Sequence, residues 1–165
     1  MKHRAFTLIE TLIAVTLTVT VLTAVCELIL MTLFANQWNA HAIQALSFAE
    51  EGLEAARFMR DSNWRQNYSW DSGTLWGGDM HMDASNSEKT YYLEFTGCSF
   101  TAPCYQFSTN ADQGTAQTKE GFIFTRSLTY KYKEDGVSEV VSKVEWEEHG
   151  IPRNLVLSTY LTAWH

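Results

Sequence analysis

The first 35 residues, MKHRAFTLIETLIAVTLTVTVLTAVCELILMTLFA, restrict the possible folds of this chain more than any other stretch. Two cations, Lys2 and Arg4, precede an apolar run that starts at Phe6 and carries acids only at Glu10 and Glu27. Residues 11–26 hold no charge, with Thr interspersed at 11, 16, 18, 20 and 23, and apolar character resumes after Glu27 through Ala35. A helix crosses a bilayer core of about 30 Å with about 20 residues. Glu10 and Glu27 lie about 26 Å apart at helical rise, so both carboxylates fit near opposite interfaces, where an acid costs least. Basic residues ahead of the run predict a cytoplasmic N-terminus.

Three ordinary fates compete for such a segment. A cleaved signal peptide has the basic start and the apolar middle, but Glu10 is misplaced and no small-x-small cleavage site follows. A lipoprotein signal would end at Cys26, where Val25 is too large for the preceding position. A plain signal anchor leaves Glu10 without a role.

The stretch RAFTLIE, leading into the apolar run, resembles the N-terminus of the type IV pilin superfamily, prepilins and pseudopilins. The family pattern is a short basic leader, a small residue, an aromatic or Met, then T-L-I/L-E. It maps onto Arg4, Ala5, Phe6, Thr7, Leu8, Ile9 and Glu10, with Ala5 standing where Gly is usual. The resemblance implies cleavage between Ala5 and Phe6 by a prepilin peptidase on the cytoplasmic side, and N-methylation of Phe6. A carboxylate in an apolar segment is expensive unless paired. The free amine of a newly exposed Phe6 on a neighbouring subunit is a natural partner for Glu10 and would set the axial register of assembly. Implied partners are other pilin subunits, the prepilin peptidase, an inner-membrane assembly platform and the membrane. No cofactor is expected.

Residues 36–61 continue the helix with an apolar stripe at Trp38, Ala42, Ala45, Ala49, Leu53 and Ala56, spaced by threes and fours. Glu50, Glu51, Glu54, Arg57 and Arg60 read as a solvated face, with Glu54 placed to pair with Arg57. Asp61-Ser62-Asn63 supply the stop. Residues 62–89 read as irregular, with Trp64, Tyr68, Trp70 and Trp76 packing over helix and sheet, and Asp79–Asp83 as a short strand. Strand-like segments follow at 91–95, 105–107, 122–133, 138–147 and 154–162. Phe122, Phe124, Leu128, Tyr130 and Tyr132 share one face of the third, and Val140, Val144 and Trp146 one face of the fourth. Turns at Glu134-Asp135-Gly136 and Gly150-Ile151-Pro152 make an antiparallel meander, with Leu155, Leu157 and Leu161 aligned in its last strand.

The expected fold is therefore α+β, a long N-terminal helix packed on a C-terminal antiparallel sheet. Its parts are a leader at 1–5, a membrane and filament-core helix at 6–35, an amphipathic helix at 36–61 and an extracytoplasmic β domain at 62–165. RDSNW at 60–64 and STYLTAW at 158–164 are also similar to minor pilins of the PilV-like type.

Cys98 and Cys104 enclose a five-residue loop. Outside the cytoplasm a disulfide is the favoured reading, and two unpaired thiols the alternative. No metal site is expected, because the aspartates and histidines lack ligand spacing. A net charge of −7 argues against direct nucleic-acid binding. No phosphate loop, G-x-S-x-G or paired His motif is present, so the sequence points to a structural protein rather than an enzyme. The leading expectation is a prepilin: a single-pass inner-membrane precursor, later a subunit of a pilus or a secretion pseudopilus. The rival is an uncleaved, signal-anchored binding domain.

Overall fold

In the computed structural model, which describes residues 7–72, 88–95, 105–117, 121–134 and 136–163, the chain divides into two units, Met1–His41 and Ala42–His165. Helix α1 spans Leu8–Arg65, 58 residues. Its apolar side chains in the first unit are exposed, from Leu8 and Ile9 to Leu33 and Phe34. The threonines of this stretch return their hydroxyl protons to the preceding turn. Thr18 Oγ1, for example, donates to the Ala14 carbonyl at 2.8 Å, and Thr32 Oγ1 to Leu28 at 2.8 Å. Such bonds let a hydroxyl sit in an apolar segment without an unsatisfied donor.

In the second unit, α1 packs on an antiparallel sheet. The strands are β1 (Glu88–Phe95), β2 (Tyr105–Ser108), β3 (Thr115–Gln117), β4 (Ile123–Glu134), β5 (Val137–Glu148) and β6 (Ile151–Thr162). Their order is β2-β1-β4-β5-β6, with β3 also paired to β4. β1 and β3 share one edge of β4, along Ser127–Lys131 and Ile123–Thr125 respectively. The 3-10 turn Ala111–Gly114 precedes β3, with Asn110 capping it through Asp112 N. At Gly114 a Cβ would stand 2.5 Å from the Arg126 carbonyl oxygen, so no side chain fits there.

The α+β layer and the β4-β5-β6 meander are as the alternation predicts. The even-numbered residues of β4 and β5 face the helix. Small residues on α1 let it approach closely, and larger ones on the sheet fill the space. Ala45 and Ala49 meet Phe124 and Val144, with Phe48, Trp146 and Leu155 around them. Further along, Leu53, Ala56 and Met59 meet Leu128, Tyr130, Val140 and Leu161. Tyr91, Phe107 and Tyr130 pack edge to face at centroid distances of 6.0–6.3 Å.

Several local expectations are corrected. The helix does not stop at Asp61-Ser62-Asn63 but continues to Arg65, because Ser62 and Asn63 are buried within it. Asn63 Nδ2 donates to the Trp70 and Ser72 carbonyls at 3.1 and 2.7 Å, and the chain leaves the helix through Asn67 at φ 57°. Trp38, Trp64 and Tyr68 are exposed, and of the expected aromatic cover Trp70 packs against the core. The β5–β6 turn is His149-Gly150, both at positive φ (52° and 78°), a two-residue hairpin. β6 therefore already includes Ile151 and Pro152, and its place at the sheet edge accommodates the proline. Ala5, Phe6, Trp76, Asp79–Asp83, Cys98, Cys104 and Asp135 lie outside the described residues.

Candidate functional site: the exposed apolar span and the polar band that anchors its helix

α1 begins at Leu8, and the Thr7 carbonyl accepts from the amides of Glu10 at 3.0 Å and Thr11 at 3.3 Å. Glu10 therefore sits in the first turn, where a carboxylate complements the positive end of the helix dipole. Its side chain is exposed. From this turn onward α1 holds a stretch long and apolar enough to cross a membrane, none of it buried. Exposed apolar surface of this extent in water is strongly unfavourable, so the stretch requires lipid or another protein surface around it. Two sequence-predicted site residues, Ala5 and Phe6, immediately precede the described segment. The Cys98–Cys104 expectation likewise falls outside it.

Between the two apolar clusters of the second unit lies a polar band that the sequence reading missed. Gly52 brings the backbone of α1 against Arg126, Leu128 and Ser142. Beside it, Arg126 Nη1 donates to the Phe48 carbonyl at 3.0 Å and to Glu51 Oε2 at 2.8 Å. Tyr105 donates its hydroxyl to the other oxygen, Glu51 Oε1. One helix carboxylate thus joins β2 and β4. Burial, then the Glu51 hydrogen bond and the charge of Glu51, push the Tyr105 phenol above its ordinary pKa, with Arg126 opposing. Glu51, read as part of a solvated face, is instead a partner of a buried cation. The signal was present in the sequence: Arg126 falls on the inward parity of β4, between Phe124 and Leu128. Glu54 and Arg57 pair as expected, at 2.5 Å, and Arg57 also reaches Thr159 Oγ1 at 3.2 Å.

Chemically this band holds a helix on a sheet. Glu51 accepts from both Arg126 and Tyr105, while Arg126 Nε and Ser142 Oγ are buried without a hydrogen-bond partner. Among the described residues no three His, Cys, Asp or Glu side chains converge as metal ligands. Near the end of α1 an open surface hollow lies between Arg60, Asp61, Trp64 and Arg65. No protein-family model matches this chain, and no curated protein or solved structure matches it.

Proposed function

We propose that this chain is a structural subunit of the prepilin type, a minor pilin or pseudopilin. It is inserted once in the inner membrane with its N-terminus cytoplasmic. It is then cleaved after Ala5, N-methylated at Phe6 and assembled with other pilin subunits into a type IV pilus or secretion-like filament. The observation that carries the reading is the motif RAFTLIE at the head of the apolar run, whose Glu10 lies in the first turn of the exposed apolar helix α1. Such a helix serves first as a membrane span and then as a filament core, where packing against its copies removes the same apolar surface from water. The β domain forms the outer coat, and a Cys98–Cys104 bridge forms outside the cytoplasm. The role is assembly rather than catalysis.

Co-expression of the precursor with a prepilin peptidase, followed by mass spectrometry of the mature N-terminus, tests this. The expected product begins at Phe6 with one added methyl. A chain that keeps residues 1–5 under these conditions is instead a signal-anchored domain, and the prepilin reading fails.

A further inference from the structure

The outer edge of β6 is an open half of a ladder. β6 ends the sheet and pairs with β5 alone, in unbroken register from Glu148↔Ile151 to Val137↔Thr162. The two-residue hairpin fixes which groups that pairing uses, because its flanking residues, Glu148 and Ile151, exchange both backbone bonds. The odd-numbered residues of β6 therefore bond to β5. Ala163, whose amide donates to the Gly136 carbonyl at 2.7 Å, keeps the same parity beyond the strand. The even-numbered residues, Asn154, Val156, Ser158, Tyr160 and Thr162, direct N–H and C=O the other way. Pro152, with no N–H to offer, falls on that outward parity. Among the described residues no backbone partner meets this edge. From Asn154 to Ala163 it also carries no charge, proline or bulge, the devices that ordinarily keep an edge from pairing. On the helix side an open hollow of about 400 Å³ lies beside it, lined by Leu157 and Ser158 and by Glu50, Leu53, Glu54 and Arg57 of α1. Glu54 is paired with Arg57, whereas Glu50 has no hydrogen bond or ion pair among the described residues. On the other face Val156 and Tyr160 are exposed.

We propose that β6 takes up an extended segment of a different protein as an additional antiparallel strand, and that this segment alternates basic and β-branched residues. A row of outward N–H and C=O groups at strand spacing is matched by another extended backbone. Residues of the added strand opposite odd-numbered positions of β6 face α1. A lysine or arginine there lays its stem over Leu157 and brings its cation to Glu50. Residues opposite even-numbered positions face outward and pack beside Val156 and Tyr160. A second copy of this chain does not supply that charge. Two-fold pairing of β6 with β6 puts both copies of α1 on one face of the joined sheet and turns the two acidic hollows toward each other. The inference concerns the β domain and depends neither on cleavage after Ala5 nor on filament assembly.

The test uses the full chain in an uncharged detergent and a fluorescein-labelled peptide, Lys-Val-Lys-Val-Lys-Val-Lys, read by anisotropy. With lysines toward α1, the valines stand opposite the even-numbered residues, so the valine amides donate to β6 and the lysine amides point away. Methylating the valine nitrogens should weaken binding about tenfold or more, through loss of three ladder bonds. Methylating the internal lysine nitrogens should leave binding within about twofold, because those amides face solvent. Glu50→Gln should weaken binding about threefold, and the peptide with glutamate in place of lysine should not bind. Equal loss on either methylation, equal binding of the glutamate peptide, or no binding of the unmethylated lysine peptide overturns the proposal. Disulfide cross-linking of Ser158→Cys copies to one another, above the level of their Cys26→Ala parent, would assign the edge to a second copy and overturn it as well.

Discussion

Arg126 Nη1 meets Glu51 Oε2 at 2.8 Å across the helix–sheet interface, and the two partners are unequally buried, with side chains 8% and 38% exposed. The pair is therefore asymmetric to substitution. Removing Glu51 leaves an enclosed guanidinium that still donates to the Phe48 carbonyl, while Arg126 Nε already lacks a partner among the described residues. Removing Arg126 leaves a carboxylate that can hydrate. Glu51→Ala should cost about 3 kcal/mol. Arg126→Met, which keeps the apolar stem, should cost about 1 kcal/mol. The double variant should resemble Arg126→Met alone. Thermal melting in detergent with a tertiary-structure probe reads the order. Equal losses would mean that the buried cation is not the costly partner.

Gly52 gives a second prediction at the same band. A Cβ there would stand 2.8 Å from Ser142 Oγ, 3.1 Å from Leu128 Cδ2 and 3.2 Å from Arg126 Cδ. Replacing a helical Gly by Ala ordinarily gains about 1 kcal/mol, but overpacking a close contact costs about 1–3 kcal/mol. Gly52→Ala should thus be destabilising by about 1 kcal/mol net. Ser142 Oγ is buried with no hydrogen-bond partner, so Ser142→Ala should be near neutral alone. Combined with Gly52→Ala it should recover most of the loss. Chemical denaturation of the four proteins checks the cycle, and a stabilising Gly52→Ala would show that the sheet yields freely.

The layer architecture was legible because its signals are periodic. Alternation in β4 and β5 marks an inward face, and Ala45, Ala49, Leu53 and Ala56 mark the helix stripe that meets it. What periodicity does not report is the identity of an exception on a buried face. Arg126 obeys the parity of its strand but not the polarity rule, and its partner Glu51 lies next to the stripe rather than on it. The helix end was misjudged for a related reason. The local tendency of Asn63 favours a stop, but its amide donates to the Trp70 and Ser72 carbonyls and the residue stays helical. Pro152 suggests a turn at Gly150-Ile151-Pro152, but an edge strand tolerates proline and the hairpin turns earlier, at His149-Gly150. The N-terminal expectations carry a chemical signature at Ala5, Phe6 and Glu10, and only Glu10 falls within the described residues.

Alkaline pH should loosen the domain from the β2 side and from the core. Burial, joined by the Glu51 hydrogen bond, raises the pKa of Tyr105, and burial, joined by Tyr91, raises that of Tyr130 well above its ordinary value near 10.0. The folded state then holds these protons more tightly than the unfolded chain does. Their contribution to stability is complete below the unfolded pKa and is lost as pH rises from there through the folded values. Phenolate absorbance should show fewer than the seven tyrosines titrating near pH 10 in the native chain, with the remainder appearing together as the fold is lost. Tyr130 Oη has no hydrogen-bond partner, so Tyr130→Phe should keep neutral-pH stability within about 1 kcal/mol. It should also move the alkaline transition upward. Seven tyrosines titrating together near their ordinary value would contradict this.

Glu10 offers the sharpest test of the assembly role, because its position separates insertion from polymerisation. It lies in the first turn of α1, exposed. Glu10→Ala should leave membrane insertion, the melting temperature of the domain and cleavage after Ala5 unchanged. Incorporation into filaments should fall about tenfold, the effect of losing about 1.4 kcal/mol of pairing with the amine of a neighbouring Phe6. Glu10→Gln, which keeps the shape but not the charge, should behave like the alanine variant, since an ammonium group is paired by charge rather than by an amide. Quantifying the subunit in sheared filaments against its membrane pool measures the ratio. An unchanged ratio in Glu10→Ala would remove the register argument even with cleavage established, and would leave the apolar helix surface as the whole basis of assembly.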